Sequence, residues 1–377
     1  MSFSQTVLKN DEKAIFQLRD LYNRYGYSLY KVSKFEEYDL YARNKSFLVS
    51  QNILSFTDTN GKLMALKPDV TLSIIKNVPD SDTVTHKFCY NETVYRTATD
   101  SDGFREIMQT GLECIGTIDL YAECEVLMLA MQSLQTISNT YILDLSHMGI
   151  LEGLFDEAGI IGADRTDLIH LIESKNTHSL VTLCQIKKIS EDMTEKLCTL
   201  TELYLPIKEA LPILKQVITG KKMEQAYENL QNICNVMDAY KLTDQLYLDF
   251  SVVNDVSYYD GICFKGFVHE IPESVLSGGR YDRLLHRLKK RSGAIGFAVY
   301  LDRLERLEED TQHKNYDTDV VLQYEQGISP TEILKIQSKL VSDGNRVITA
   351  SDLDPTLRYR RLIKITNGGI QTLEIHD

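Results

Sequence analysis

The sequence predicts an α+β protein, and three observations carry that prediction. Strand-like runs and a hairpin turn occupy the first 150 residues. From about Leu151 to Tyr240 the texture becomes helical, dense in acids and lysines and nearly without strand signals. Strands resume at Leu246, and the polar stretch Glu308 to Thr318 is a linker ahead of a small terminal α/β unit. Helices and strands kept in separate blocks are the mark of an α+β chain.

The elements follow in order. Ile15, Leu18, Leu21 and Tyr22 recur at helical spacing, so Asp11 to Tyr25 is read as a helix that Gly26 ends. Ile53 to Phe56 and Leu63 to Leu66 flank Asp58-Thr59-Asn60-Gly61, a strong hairpin signal. The run LKPDVTLSIIKN reads as a strand end passing into a short helix, with Pro68 in its first turn. Phe88 to Gly116 reads as two strands joined by a polar loop, Arg96 ending the first. Asp119 to Ser138 is a helix with Leu127, Leu129, Met131 and Leu134 among its apolar positions. Leu246 to Val253 and Gly261 to Val268 are strands, a helix is expected directly after Gly278-Gly279, and Ala294 to Leu307 passes from strand to helix. In the terminal unit, Asp319 to Leu322 and Val347 to Thr349 are strands, and Pro330 to Ser342 is a helix closed by Gly344. Leu362 to Ile365 and Ile370 to Ile375 flank Asn367-Gly368-Gly369, a second hairpin signal.

Composition narrows the function classes. A net charge of −13 argues against a phosphate-backbone binder, which needs a basic surface to release counterions. The first residues lack the apolar core of a signal peptide, and no apolar run is long enough to span a bilayer. Seven scattered cysteines, without a C-x-x-C pair or a nearby histidine cluster, fit reduced thiols and make a structural zinc unexpected. A soluble cytoplasmic protein without metal or cofactor is expected.

One constellation points to a ligand. Residues two apart on a strand share a face, so Gln109 and Glu113 point the same way, with Gly111 leaving a gap between them. An amide and a carboxylate across a bare position suit a small ligand bearing an ammonium or imidazole, although a strand with one wetted face has the same spacing. Asp69 and Thr71 stand at the start of a helix, where an acid complements the dipole or faces a ligand ammonium. Tyr258 and Tyr259 precede a strand, one phenol available to an imidazole nitrogen while the other packs inward. The basic run Arg287 to Arg291 reads as a solvated helix end.

Taken in order, these pieces resemble the histidyl-tRNA synthetase-like family over nearly the whole chain. LKPDVT resembles its L-R-P-E/D-x-T element; VYR with FREIMQTGLECIG resembles class II motif 2; SYYDGICF resembles its histidine-specific element; LSGGRYDRLL with AIGFAVYLDRL resembles the closing run and motif 3. The resemblance implies a class II aminoacyl-tRNA synthetase-like sheet, mainly antiparallel and flanked by helices, in a homodimer. It implies a core in two parts, 1–150 and 244–310, a helical insertion, 151–243, and a truncated anticodon-domain-like unit, 317–377. It also implies a histidine pocket at Asp69, Thr71, Arg96, Gln109, Glu113, Tyr258 and Tyr259. Asp69, Gln109 or Glu113 would meet the ammonium and imidazole, with Tyr258 or Tyr259 beside the ring and Arg96 a candidate for the carboxylate.

The departures from the family pattern shape the expected function. Synthetases carry an arginine in an R-G-L-D-Y-Y element that steadies the carboxylate and α-phosphate; here Asn254 stands there. Losing a charge that stabilises a phosphoryl transition state removes orders of magnitude in rate. Ala98 replaces a glutamate that helps seat adenine, and Tyr300 stands where motif 3 usually has a glycine that leaves room for the nucleotide. A histidine half that survives beside an eroded ATP half resembles the family's ATP phosphoribosyltransferase regulatory branch, whose members have no aminoacylation activity. That branch implies a short-form catalytic partner in a hetero-oligomer, histidine feedback on the first step of histidine biosynthesis, and no catalytic residue of its own. The alternatives are a divergent, active histidyl-tRNA synthetase and a stand-alone amino-acid sensor or RNA-binding paralogue.

Overall fold

Ile15, Leu18 and Tyr22 are buried along one face of helix α1 (Asn10–Arg24), and Gly26, at φ +82°, turns the chain out of it. The computed structural model describes residues 8–44, 48, 53–81, 83–97, 103–252, 258–304, 316–367 and 369–376. Strands β1 (Ser28–Leu29) and β2 (Phe35–Glu37) and helix α2 (Tyr38–Ala42) come next, each too short to show a period in the sequence. Strands β3 (Ser55–Thr57) and β4 (Leu63–Leu66) close on the expected turn, where the Asp58 carboxylate accepts the backbone N–H groups of Asn60 and Lys62, each at 2.8 Å. With β2 they form a three-stranded sheet, β2-β4-β3. Helix α3 (Thr71–Asn77) starts three residues after Pro68, so the proline precedes the helix instead of occupying its first turn.

Strands β5 (His86–Thr97) and β6 (Phe104–Gly116) pair antiparallel along their whole length. Helix α4 (Leu120–Ile137) is capped by the Asp119 carboxylate on the Ala122 N–H and buries Leu127, Leu129, Met131 and Leu134 completely. Strand β7 (Tyr141–His147), not anticipated from the sequence, leads into six helices: α5 (Met148–Glu157), α6 (Gly162–Glu173), α7 (Thr177–Ile186), α8 (Glu191–Glu202), α9 (Ile207–Val217) and α10 (Gly220–Ala239). The short strand β8 (Tyr204–Pro206) interrupts them between α8 and α9.

Strand β9 (Leu246–Asp249) is shorter than expected, because a 3-10 turn at Phe250–Val252 ends it. Strand β10 (Ile262–Val268) pairs with β11 (Ile271–Arg280), and Gly278-Gly279 lies inside β11, not at the entry to a helix. Helix α11 (Asp282–Arg287) begins only after Tyr281. Strand β12 (Gly293–Tyr300) passes directly into helix α12 (Leu301–Leu304). The remainder of the expected helix, to Leu307, lies outside the described residues. The basic run after α11 is tied down, contrary to a freely solvated end. The Lys290 ammonium donates to the carbonyls of Ile75 and Val78 at the end of α3, and the Asp80 carboxylate accepts the Arg291 and Ser292 N–H groups at 3.0 and 3.2 Å. A cation there meets the carbonyls that a helix C-terminus leaves unpaired.

The long strands make a nine-stranded mixed sheet, β1-β5-β6-β12-β11-β10-β7-β9-β8, antiparallel except at β1–β5 and β7–β9. Successive side chains point to opposite faces. Leu112, Cys114 and Cys89 join α1 and α4 in the larger core. Tyr90, Val94 and Ile115 join Ile74 and Ile75 of α3 and Leu284 and Leu285 of α11 in a second core on the other face.

The chain divides into two compact units, Met1–Leu307 and Glu308–Asp377. The second holds β13 (Thr318–Tyr324), α13 (Pro330–Ser342), β14 (Val347–Ala350), β15 (Tyr359–Thr366) and β16 (Gly369–Ile375). Its sheet order is β14-β13-β15-β16, and its own core contains Val320, Leu322, Ile333, Ile363 and Ile365. Gly344, at φ +87°, follows α13, and β15 and β16 pair antiparallel around a turn whose Gly368 lies outside the described residues.

Candidate functional site

The period-2 reading of β6 holds in three dimensions. Gln109 and Glu113 are buried on the face of the second core, while Leu112 and Cys114 enter the first. The expected gap at Gly111 is filled from within: a Cβ there would lie 2.7 Å from the Tyr90 hydroxyl, so the missing side chain accommodates that phenol and not a ligand. Space for the Glu113 carboxylate comes from Gly296, its register partner on β12, where any Cβ would collide with it. Gly279 likewise yields to the Tyr259 ring. The glycine pair is thus explained by close packing inside a strand.

Glu113 is held at both oxygens. The Thr71 hydroxyl donates to Oε1 at 2.6 Å, and the Tyr281 phenol donates to Oε2. Each carboxylate oxygen can accept a second donor, so these bonds orient the group without saturating it. Asp69 accepts the Leu72 N–H at 2.8 Å, which caps the start of α3, and Arg96 Nε donates to the Pro68 carbonyl at 3.1 Å. The segment before α3 is pinned from below by Lys67, whose fully buried ammonium pairs with Glu92 at 2.7 Å. Tyr258 meets Tyr259 edge-on at 4.8 Å between ring centroids and Tyr281 at 5.5 Å.

All seven residues singled out from the sequence line one cavity of about 660 Å³: Asp69, Thr71, Arg96, Gln109, Glu113, Tyr258 and Tyr259. Sequence reasoning missed Tyr90, Lys265, Ser277 and Tyr281 in the same wall. Lys265 did carry a signal, as the single charge in the apolar strand ICFKGFV. Tyr281 had none beyond its place beside the glycine pair. Of the three departures from the synthetase pattern, Ala98 and Asn254 lie outside the described residues. Tyr300 lines the cavity; its phenol bonds the Ser277 hydroxyl at 2.6 Å, and the Arg303 guanidinium sits 4.4 Å from its ring centroid.

Burial governs the site's electrostatics. It pushes the Glu113 carboxyl up to about 8; the Thr71 and Tyr281 hydroxyls pull against that shift and the neighbouring Asp69 adds to it. Burial also raises Asp69, opposed by the Leu72 amide and the Arg96 charge. The phenols of Tyr258, Tyr259 and Tyr281 are pushed far up for the same reason and stay neutral donors. A carboxyl that burial keeps from ionising ionises readily when a cation arrives. Two such carboxyls, an amide and several phenols can therefore hold an ammonium and a polar ring at defined positions. Among the described residues no group of three His, Cys, Asp or Glu side chains forms a metal set.

This sheet, with its motif-bearing strands around a polar pocket, defines a class II aminoacyl-tRNA synthetase-like protein. The model of the family described as "Histidyl-tRNA synthetase" matches residues 6–304, and the chain belongs to that family. It is 26% identical, over 80% of its length and 75% of the relative's, to a protein of Oceanobacillus iheyensis named ATP phosphoribosyltransferase regulatory subunit. Its fold is similar to that of a Bacillus halodurans crystal structure described as an ATP phosphoribosyltransferase regulatory subunit/histidyl-tRNA synthetase. The TM-score there is 0.75 at 21% identity, covering 97% of this chain and 96% of that one. A chain of the ATP phosphoribosyl transferase complex from Thermotoga maritima matches with a TM-score of 0.61 at 21% identity, covering 77% of this chain and 97% of that one.

Proposed function

We propose that this chain is a regulatory subunit of ATP phosphoribosyltransferase that binds L-histidine in the cavity and activates no amino acid itself. Its partner is a short-form catalytic subunit, which transfers phosphoribosyl to ATP in the first step of histidine biosynthesis. The regulatory chain forms a homodimer within a hetero-oligomer in the cytoplasm, is required for that activity, and transmits histidine feedback. In this reading 1–150 and 244–310 form the ligand-binding core, 151–243 an insertion, and 317–377 a reduced accessory unit.

The names of its relatives support the partner, and the charge of −13 speaks against a nucleic-acid substrate. Among the described residues no helix is long and apolar enough to cross a membrane. The observation that carries the reading is the unequal state of the cavity. Asp69, Thr71, Gln109, Glu113 and the tyrosines line its polar end, and Tyr300, where the synthetase pattern has a glycine, lines the same cavity. For feedback, histidine must bind two states of the assembly with different affinity.

The test pairs this chain with its cognate short phosphoribosyltransferase. Phosphoribosyl transfer to ATP is expected only with both chains present, falling as histidine is added. The isolated chain is expected to show no histidine-dependent exchange of pyrophosphate into ATP. Robust exchange, with no activation of the partner, would replace this reading with an active, divergent synthetase.

A further inference from the structure

We propose that Lys265 is the carboxylate-recognising residue of this pocket, so that the site selects an α-amino acid and not any imidazole-bearing amine. The inference rests on the histidine reading above and deepens it.

Register supplies the geometry. Lys265 on β10 is paired with Ser277 on β11, Ser277 with Ala298 on β12, and Ala298 with Gly111 on β6. Paired residues share a face, so Lys265 projects from the same side of the sheet as Gln109 and Glu113. It stands three strand intervals from β6, about 14 Å away across the sheet. The cavity therefore has Asp69 and Glu113 at one end and Lys265, with Glu173 near it, toward the other.

A histidine whose ammonium and imidazole lie against Asp69, Gln109 and Glu113 must turn its carboxylate away from them, because like charges repel in a medium of low dielectric. At the far end the carboxylate meets the Lys265 ammonium with the Ser277 and Tyr300 hydroxyls beside it, the latter two 2.6 Å apart. Arg303, stacked on Tyr300, adds positive field there. Arg96, the other cation in the wall, donates its Nε to the Pro68 carbonyl and lies beside Asp69 at the opposite end. Asn254, at the position that bears an arginine in the synthetase pattern, carries no charge for this role.

Lys265 has acidic neighbours as well. Asp144, its register partner on β7, Glu173 of α6 and Asp249 of β9 act on it; Asp249 is paired with Lys175 at 3.0 Å and Glu173 sits at the cavity wall. Burial lowers the Lys265 pKa in spite of them.

The test compares L-histidine with L-histidinol, which lacks the carboxylate, by calorimetry on the full chain. The wild type is expected to prefer histidine. Lys265→Met should weaken histidine by about 10- to 100-fold, the effect of a lost charged hydrogen bond, and leave histidinol unchanged. Lys265→Arg, which keeps the charge, should retain most of the preference, and thermal melts confirm that each variant is folded. Equal weakening of both ligands would make Lys265 a structural residue and overturn the proposal. So would a preference that survives Lys265→Met and collapses in Arg96→Met. Failure of the wild type to bind either compound would instead remove the histidine reading on which the proposal stands.

Discussion

Glu113 sits buried between the Thr71 and Tyr281 hydroxyls in the cavity wall, and its behaviour follows from that place. Truncating Glu113 or Asp69 to alanine should weaken histidine binding by about 1–3 kcal/mol, since each leaves a ligand donor unpaired. Calorimetry checks this, and unchanged affinity in both variants would move the ligand elsewhere. The pH response is a separate consequence. The folded carboxyl, near 8, lies above its ordinary value of 4.5, so the unfolded chain gives up the proton first as pH rises. Stability from this group is fully present below about 4.5 and is lost as pH climbs toward 8. Glu113→Gln cannot ionise and should escape that loss. In urea unfolding without ligand, its stability relative to wild type should improve by roughly 1–3 kcal/mol between pH 5 and pH 8. A gap that does not change with pH would contradict the shift.

Helix α3 is the element on which the site depends. Two lysines hold its ends: Lys67, pairing with Glu92 just before the segment that carries Asp69, and Lys290, meeting the last carbonyls. The Lys67 side chain is 0% exposed, so its removal leaves Glu92, itself only 12% exposed, as an uncompensated charge. Glu92 also accepts the Val32 N–H at 2.9 Å, which ties the chain before β2 to the same ion pair. Lys67→Met should therefore destabilise the first unit by about 3–5 kcal/mol, the usual effect of breaking a buried pair from one side. Denaturant unfolding measures it; a change under about 1 kcal/mol would show that water reaches Glu92 and shields it. Because the same segment carries Asp69 and Thr71, histidine affinity should fall in this variant although neither residue is altered.

The molecule as a whole consists of two compact units with separate cores, and the cavity belongs wholly to the first. A ligand stabilises only the unit whose folded state it binds. Histidine at a hundredfold excess over its dissociation constant should raise the stability of residues 10–304 by about 2.7 kcal/mol. Residues 318–375 should be unaffected. Hydrogen exchange in increasing urea resolves the two, and equal protection of both would show that they unfold as one cooperative body.

Local chemistry was readable wherever it is local. The Asp58 to Gly61 turn, the apolar spacing of helix α4 and the shared face of Gln109 and Glu113 depend on residues within a few positions of one another, and the sequence alone determined them. Strand β7 and the run of β11 through Gly278-Gly279 were not readable, because what makes them strands is a partner elsewhere in the sheet. The gap at Gly111 was read as ligand space, yet a neighbouring strand fills it with Tyr90. Tyr281 and Glu113 are 168 residues apart and meet only after β6, β12 and β11 have come together. Period and turn chemistry therefore told which residues face the pocket. Only the order of strands decided what stands across from them, since pairing brings distant segments within hydrogen-bonding range and no local pattern encodes the partner.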